Sequence, residues 1–158
     1  MAKQLAYRGP FLLLFAVGQQ LRALLSRALA DAPLSPDEFA VYSVLFGIGP
    51  ATPTRLAADL GMPASTLSHY LRRMGERDHL DRWPNPDDGR SSLVDLTAAG
   101  RAVTDACFAG FGAAITEFRR HLPMAEDDLL KALELTSGAL QAVDHDAVRR
   151  SARAKDPP

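Results

Sequence analysis

Apolar residues recur at helical spacing over most of this chain, and helix-ending residues divide the pattern into separate helices. A first long helix is predicted from Pro10 to a stop before Pro33, with a continuous apolar stripe along one side. That stripe consists of Leu14, Val17, Leu21, Leu24, Leu25 and Ala28. A signal peptide is the alternative interpretation of the apolar run at residues 11–17, but the stripe continues past the cleavage point that such a peptide needs.

Shorter helices with clear end signals follow. Ser35 and Glu38 form a capping-box pattern at the start of a second helix, which ends at the glycines of residues 47–49. Thr52 is the predicted N-cap of a third helix that Gly61 terminates. A fourth helix is predicted from residue 64 to about Arg77.

The pattern then changes to strands. Short runs at 80–83 and 91–96 flank the turn-rich segment PNPDDG and predict a β-hairpin. Helical spacing resumes at Thr97 and continues to about His121, and a last helix covers roughly 125–143. The predicted fold class is therefore mainly α with a small β-hairpin wing.

The stretch ASTLSHYLRR, residues 64–73, has two different faces when it is read as a helix. Its apolar arc contains Leu67, Tyr70 and Leu71 and continues to Met74. Its polar side contains Ser65, Thr66, Ser68, His69, Arg72 and Arg73. Residues 60–75 contain no Asp or Glu, whereas a solvated helix face normally mixes both signs. This face is thus suited to a negatively charged partner that is rich in hydrogen-bonding groups.

Bulk composition narrows the choice of partner. The chain has 158 residues, a formal net charge of -1 and a single cysteine. This length predicts one domain. The charge gives no general attraction to nucleic acid or membranes, so any such attraction must be local. One cysteine excludes an internal disulfide framework and every multi-cysteine zinc pattern. No cofactor, catalytic set or membrane partner is predicted.

The order of short helices, glycine turn, helix and hairpin is that of a winged helix-turn-helix. In that arrangement the second helix of the turn lies in the DNA major groove. The predicted DNA-binding residues are Thr54, Ser65, Thr66, Ser68, His69, Arg72, Arg73 and Arg90. Arginines neutralise phosphates or pair with guanine, and short hydroxyl side chains suit a helix start close to the DNA backbone.

Residues 56–100 resemble the core of the multiple-antibiotic-resistance regulator (MarR) family of bacterial transcription factors. STLSHYLRRM resembles the recognition helix, and Asp88-x-Arg90 followed by LVDLTAAG resembles the wing. The resemblance implies a cytoplasmic homodimer on a palindromic operator, in which Arg90 enters the minor groove and Asp88 shapes the wing. It implies dimerisation helices at 10–32 and 124–144, a winged helix-turn-helix core at 35–100 and a connecting helix at 97–122.

The chain also departs from that family pattern. Asp78 stands where glycine is usual, so it must adopt the left-handed conformation at some strain. His79 replaces an apolar residue, Gly89 replaces a basic one, and Pro63 stands where a side-chain N-cap is common. Fewer phosphate contacts predict modest DNA affinity and a shallow dependence on salt.

Many members of the family release DNA when a small aromatic or anionic compound binds. The resemblance places such a ligand in a crevice between the dimer helices and the DNA-binding lobe. The predicted lining comprises Phe15, Gln19, Arg22, Phe39, Tyr42, Phe46 and Phe111. A plain core or interface role is the alternative for each aromatic residue.

Cys107 and the histidine-containing segments are two further candidate sites. Cys107 lacks a basic residue within one helical turn, which favours a buried structural thiol over an oxidation sensor. His121 and the DHD of residues 144–146 do not form a metal-ligand pattern. The predicted function is a homodimeric DNA-binding repressor that a ligand releases. The alternatives are a dimeric protein-interaction module without operator binding and a redox-responsive regulator that uses Cys107.

Overall fold

The computed structural model describes residues 9–143 and residue 150. Helices dominate it, and an antiparallel hairpin interrupts them, which confirms the predicted fold class. The elements are α1 (Pro10–Ala28), α2 (Pro36–Ile48), α3 (Pro53–Leu60), α4 (Ala64–Glu76), β1 (Leu80–Pro84), β2 (Ser92–Leu96), α5 (Ala98–His121) and α6 (Glu126–Gln141).

The predicted helix ends are confirmed by their capping contacts. Ser35 and Glu38 form a complete capping box at the start of α2. The Thr52 hydroxyl accepts a hydrogen bond from the Arg55 N–H, and Gly61 closes α3 with φ 60°. The Thr97 hydroxyl accepts from the Gly100 N–H at the start of α5. Local residue chemistry therefore fixes where these helices begin and end.

The hairpin pairs Leu80 with Leu96 at one end of the ladder and Pro84 with Ser92 at the other. A further bridge joins Ala51 to Val94 through two backbone hydrogen bonds of 3.1 and 2.9 Å. The segment between α2 and α3 is thus tied to the inner strand of the wing.

The chain divides into two compact units, Met1–Phe118 and Arg119–Pro158. The first unit contains the hydrophobic core, in which the inner face of α4 packs against residues of α2, α3, β2 and α5. The large core side chains include Leu34, Phe39, Tyr42, Leu45, Leu56, Leu67, Leu71, Met74, Val94 and Cys107.

Two helices keep their apolar side chains exposed. No residue of α1 is buried, and Phe11 is 74% exposed. The described part of the second unit includes α6, which also has no buried residue, and its Leu135 is 69% exposed. In that unit Arg119 makes two hydrogen bonds of 2.9 Å to Glu126. No helix within residues 9–143 is both long enough and apolar enough to cross a membrane.

Candidate nucleic-acid interface

Helix α4 buries one face and presents the other to solvent, as predicted. Leu67, Leu71 and Met74 are each at most 3% exposed, and Tyr70 is half-buried. Exposed residues on the outer face are Ser65, Thr66, Ser68, His69 and Arg72. Because the inner side chains are packed in the core, the backbone of α4, and with it the attachment point of each outer side chain, is fixed relative to the domain core.

The start of α4 has free hydrogen-bonding capacity. Its N-cap is Pro63, which makes no side-chain capping bond, as expected. The first N–H groups of a helix have no partner within the helix itself. The hydroxyl groups of Ser65 and Thr66 lie on this same turn, so the helix start offers several donors at one end of the exposed face.

Arg72 is held on the helix surface by weak contacts. Its Nη1 lies 2.8 Å from Glu76 Oε1, and its Nη2 lies 3.1 Å from His69 Nδ1. The Arg72 and Glu76 side chains are 63% and 56% exposed. An exposed pair of this i,i+4 type contributes only about 0.3–0.5 kcal/mol. A phosphate group would therefore displace Glu76 at little cost.

Arg73 is placed differently from its neighbour. Its Nη2 lies 3.1 Å from Oε1 of Glu38, a buried residue of α2, and Arg77 Nη1 lies at the same distance from that oxygen. Arg73 is half-buried at this contact. Of the two arginines predicted to contact DNA from α4, only Arg72 belongs to the exposed outer face.

A groove lies between α4 and the wing. It has a volume of about 620 Å³ and is lined by Pro53, Ser68, Leu71, Arg72, Gly75, Leu80 and Arg82. The structure brings Ser68 and Arg72 together here. Thr54 is exposed near the start of α3, next to the lining residue Pro53.

Arg82 was not predicted, although the sequence holds a signal for it. Residues of a strand alternate between its two faces, so Leu80 and Arg82 of β1 share one face. Leu80 lines the groove beside α4, and Arg82 follows it on the same side. The groove thus contains two arginines, one from the helix and one from the wing.

The wing tip exposes Arg90 and orders the chain around it. The Asp88 carboxylate accepts a hydrogen bond of 3.1 Å from the Arg90 N–H, and the Asp88 carbonyl accepts one of 3.0 Å from the Ser91 N–H. The Asn85 amide donates to the Ser91 hydroxyl at 2.9 Å. These contacts order the backbone of the wing tip, and the role of Asp88 in shaping the wing for DNA stays a prediction.

The junction between α4 and β1 contains the unusual residues noted in the sequence. Asp78 has φ 56°, which confirms its predicted left-handed conformation. The Thr97 hydroxyl donates a hydrogen bond of 2.8 Å to the Asp78 carbonyl. The next residue, His79, has its Nδ1 3.0 Å from the hydroxyl of Tyr42. The junction is therefore tied to both α2 and the start of α5.

The predicted ligand residues are dispersed. Tyr42 is buried, and Phe46 and Phe111 belong to an aromatic cluster with Phe39 and Phe108, with ring centroids 5.0–5.6 Å apart. Phe15 and Gln19 are exposed on α1. Arg22, also exposed, pairs with Asp37 at 2.8 Å. Core packing accounts for the four aromatic residues other than Phe15.

An apolar cleft of about 270 Å³ lies between α1 and α5. Its lining residues are Leu21, Leu24, Leu25, Phe111, Ala114, Ile115 and Phe118. Phe111 is the member of the predicted ligand set that lines this cleft. Neither Gln19 nor Arg22 reaches it, so the cleft offers apolar contacts without the predicted polar groups.

Cys107 is a buried free thiol. Its Sγ donates a 3.4 Å hydrogen bond to the Val103 carbonyl. Burial raises the pKa of this thiol, which disfavours the reactive thiolate. Within residues 9–143, no three metal-ligating side chains gather at one place. Residues 144–146, which contain the DHD sequence, lie outside the described residues.

No family model matches the chain. The multiple antibiotic resistance protein MarR of Salmonella typhimurium is 30% identical over 95 residues, which are 60% of this chain. The matched stretch spans 66% of the length of that relative.

Solved structures, including the following two, are also similar to the chain. A cysteine-to-serine variant of E. coli MarR in complex with operator DNA has a TM-score of 0.66 and 26% identity, with 81% of this chain and 91% of that one covered. The PcaV transcriptional regulator from Streptomyces coelicolor, in complex with its natural ligand, has a TM-score of 0.68 and 25% identity. That similarity covers 89% of this chain and 96% of the other. PcaV is named as a transcriptional regulator, and the E. coli MarR structure contains operator DNA; neither name states an enzymatic activity.

Proposed function

We propose that this chain, which belongs to the MarR family of winged helix-turn-helix proteins, is a transcriptional regulator that binds double-stranded DNA. The observation that carries the proposal is the two-sided α4. Three buried side chains anchor its inner face, while hydroxyl groups and Arg72 occupy its exposed outer face. The solved complex of E. coli MarR with operator DNA supports the assignment.

In the proposed complex, α4 lies in the major groove. Its contacts to base edges and phosphates come from Ser65, Thr66, Ser68, His69 and Arg72, with Thr54 of α3 beside them. Arg90 enters the minor groove, where a narrow groove concentrates negative potential. Arg82 is added to the interface as a phosphate contact from β1, because it shares the groove with Arg72.

The proposed active form is a homodimer. Apolar side chains of α1 are exposed, and so are those of α6; on each helix, apolar surface of that kind marks an interaction surface. A second copy of the chain would cover it. Twofold symmetry then places two recognition helices about 34 Å apart on a palindromic operator. A dimer seated there would exclude other proteins from the same DNA, which is the action of a repressor in the bacterial cytoplasm.

The proposal includes release of the protein from DNA when a small aromatic or anionic effector binds. PcaV, solved with its natural ligand, supports effector binding by a structurally similar regulator. In this chain the cleft between α1 and α5 contributes the aromatic residue Phe111. Arg22, the predicted partner of an anionic effector group, lies outside the lining of this cleft and pairs with Asp37.

Electrophoretic mobility shift against the promoter region of the protein's own gene tests the function. A shifted band that survives excess unrelated duplex is expected, with the protein a dimer in light scattering. Arg72→Ala and Arg90→Ala should each weaken the shift and leave the dimer intact. A folded dimer that binds no promoter fragment would instead favour the protein-interaction alternative. Titration with phenolic and aromatic acids tests whether an effector releases the protein from DNA, which would be seen as loss of the shifted band.

A further inference from the structure

Two arginines of the recognition helix region converge on one buried carboxylate. Arg73 is on the last turn of α4, and Arg77 is the residue that caps its end. The nearest guanidinium nitrogen of each lies 3.1 Å from Oε1 of Glu38. The Glu38 side chain is only 9% exposed, whereas the Arg73 and Arg77 side chains are 41% and 36% exposed, so the contacts are shielded from water on the carboxylate side.

The carboxylate is itself fixed from the opposite side. Oε2 of Glu38 accepts hydrogen bonds from the Ser35 N–H at 3.1 Å and from the Ser35 hydroxyl at 3.0 Å. These bonds are part of the capping box of α2. Glu38 therefore cannot swing outward with an arginine that moves toward DNA without breaking the cap of its own helix.

The neighbouring ion pair on α4 has the opposite character. Glu76 and Arg72 are both more than half exposed, so water or a phosphate replaces either partner readily. Removal of Arg73 or Arg77 from Glu38 would instead leave a buried charge with less compensation, which is strongly unfavourable. Adjacent arginines of one helix thus differ in their availability to DNA.

We propose that Glu38 is a positioning residue, which clamps the end of α4 through Arg73 and Arg77 and keeps both guanidinium groups off the DNA phosphates. This inference rests on the proposed function. It removes Arg73 from the predicted contacts and leaves Arg72 as the phosphate-neutralising arginine of α4. It also accounts for part of the shallow salt dependence expected for this chain.

The salt dependence of duplex binding distinguishes clamped arginines from contacting ones. Each phosphate contact contributes about 0.9 to the slope of log affinity against log salt concentration. Fluorescence anisotropy with promoter duplex at several salt concentrations should give a slope about 1 smaller for Arg72→Ala. Arg73→Ala should leave the slope unchanged.

The isosteric variant Glu38→Gln supplies the opposite test. Gln retains the acceptor that the capping box needs and removes the charge that holds the two arginines. Both arginines become available, so the slope should steepen by about 1–2, and the preference for promoter over random duplex should fall. Adding Arg73→Ala and Arg77→Ala to Glu38→Gln should return the slope to that of the unmodified protein.

Ser35→Ala is the matched control, because it weakens the cap of α2 but retains the Glu38 charge. Ser35→Ala should lower the melting temperature without steepening the slope. If the role of Glu38 were merely structural, Glu38→Gln would behave in the same way. The inference is overturned if Arg73→Ala reduces the slope as much as Arg72→Ala does. That comparison stands even where Glu38→Gln fails to fold. If the unmodified protein binds no duplex, the proposed function is overturned and this inference with it.

Discussion

Gly110 of α5 lies so close to Ala28, the last residue of α1, that a Cβ atom at position 110 would collide with the Ala28 carbonyl oxygen. The two helices cross here with backbone against backbone, and the Ala28 carbonyl cannot move without shifting the end of α1. Gly110→Ala should therefore lower the free energy of unfolding by about 1–3 kcal/mol, the usual cost of overpacking. Urea denaturation followed by circular dichroism measures this change.

Gly112 provides the control within the same helix. A Cβ atom at Gly112 meets nothing within 4 Å, so alanine fits there without strain. Gly112→Ala should raise the free energy of unfolding by about 0.5–1 kcal/mol, because alanine loses less backbone freedom on folding than glycine does. Equal effects of the two substitutions would contradict the close contact of α1 with α5.

The backbone conformation of Asp78 also predicts how substitutions there change stability. Its φ of 56° suits glycine better than any side chain. Asp78→Gly should raise the free energy of unfolding by up to about 1 kcal/mol, and Asp78→Ala should lower it by about 1 kcal/mol, because alanine lacks the local hydrogen bonding that lets Asp tolerate this region. Thermal unfolding of the two variants beside the unmodified protein measures both shifts. If Asp78→Gly were less stable than the unmodified protein, backbone strain at this position would be contradicted.

Sequence alone predicted the features that depend on neighbouring residues. The Ser35 capping box, the Gly61 stop and the conformation of Asp78 are set within a few positions along the chain, and all are confirmed. The exposed side of α4 was also predictable, because helical spacing sorts residues into faces before any tertiary contact forms.

Contacts between elements that are distant along the chain could not be predicted from the sequence. Arg73 and Arg72 are both polar residues on α4, and only the packing of α4 against α2 shows that Glu38 binds Arg73. Arg82 can be assigned to the groove only when the position of the hairpin beside α4 is known. The dispersal of the predicted ligand residues could not be foreseen for the same reason. In the sequence, an aromatic residue that packs in the core looks the same as one that lines a crevice.

The wing offers a pair of predictions about DNA affinity. Arg90→Ala should weaken promoter binding by about tenfold, because it removes the arginine that we propose enters the minor groove. Asp88→Ala keeps Arg90 but removes the carboxylate that accepts its backbone N–H, so a smaller loss is expected. Lys131→Ala on α6 is the control for the loss of one positive charge and should change little. Anisotropy titrations measure all three variants, and equal losses for Arg90→Ala and Lys131→Ala would exclude a specific role for the wing.

Cys107 should behave as an inert thiol in the folded protein. It is fully buried, and burial raises its pKa, so little thiolate is present at neutral pH. Alkylation by iodoacetamide, followed by mass spectrometry, should be slow in buffer and fast in concentrated urea. Mild peroxide should leave promoter binding unchanged. Rapid modification of the folded protein would instead support the redox-responsive alternative.

Glu38 predicts how stability depends on pH in the acidic range. Burial raises the pKa of this carboxyl, but hydrogen bonds from Ser35 and the charges of Arg77 and Arg73 outweigh it and hold the pKa below the ordinary value of 4.5. The stabilisation is therefore complete above that value and is lost as the pH falls through the folded-state pKa. The difference in unfolding free energy between the unmodified protein and Glu38→Gln should be constant above about pH 5 and shrink below pH 4.5. The two proteins differ only in this one side chain, so a urea series across this range isolates Glu38. A constant difference down to the acid limit would contradict the ion pairs.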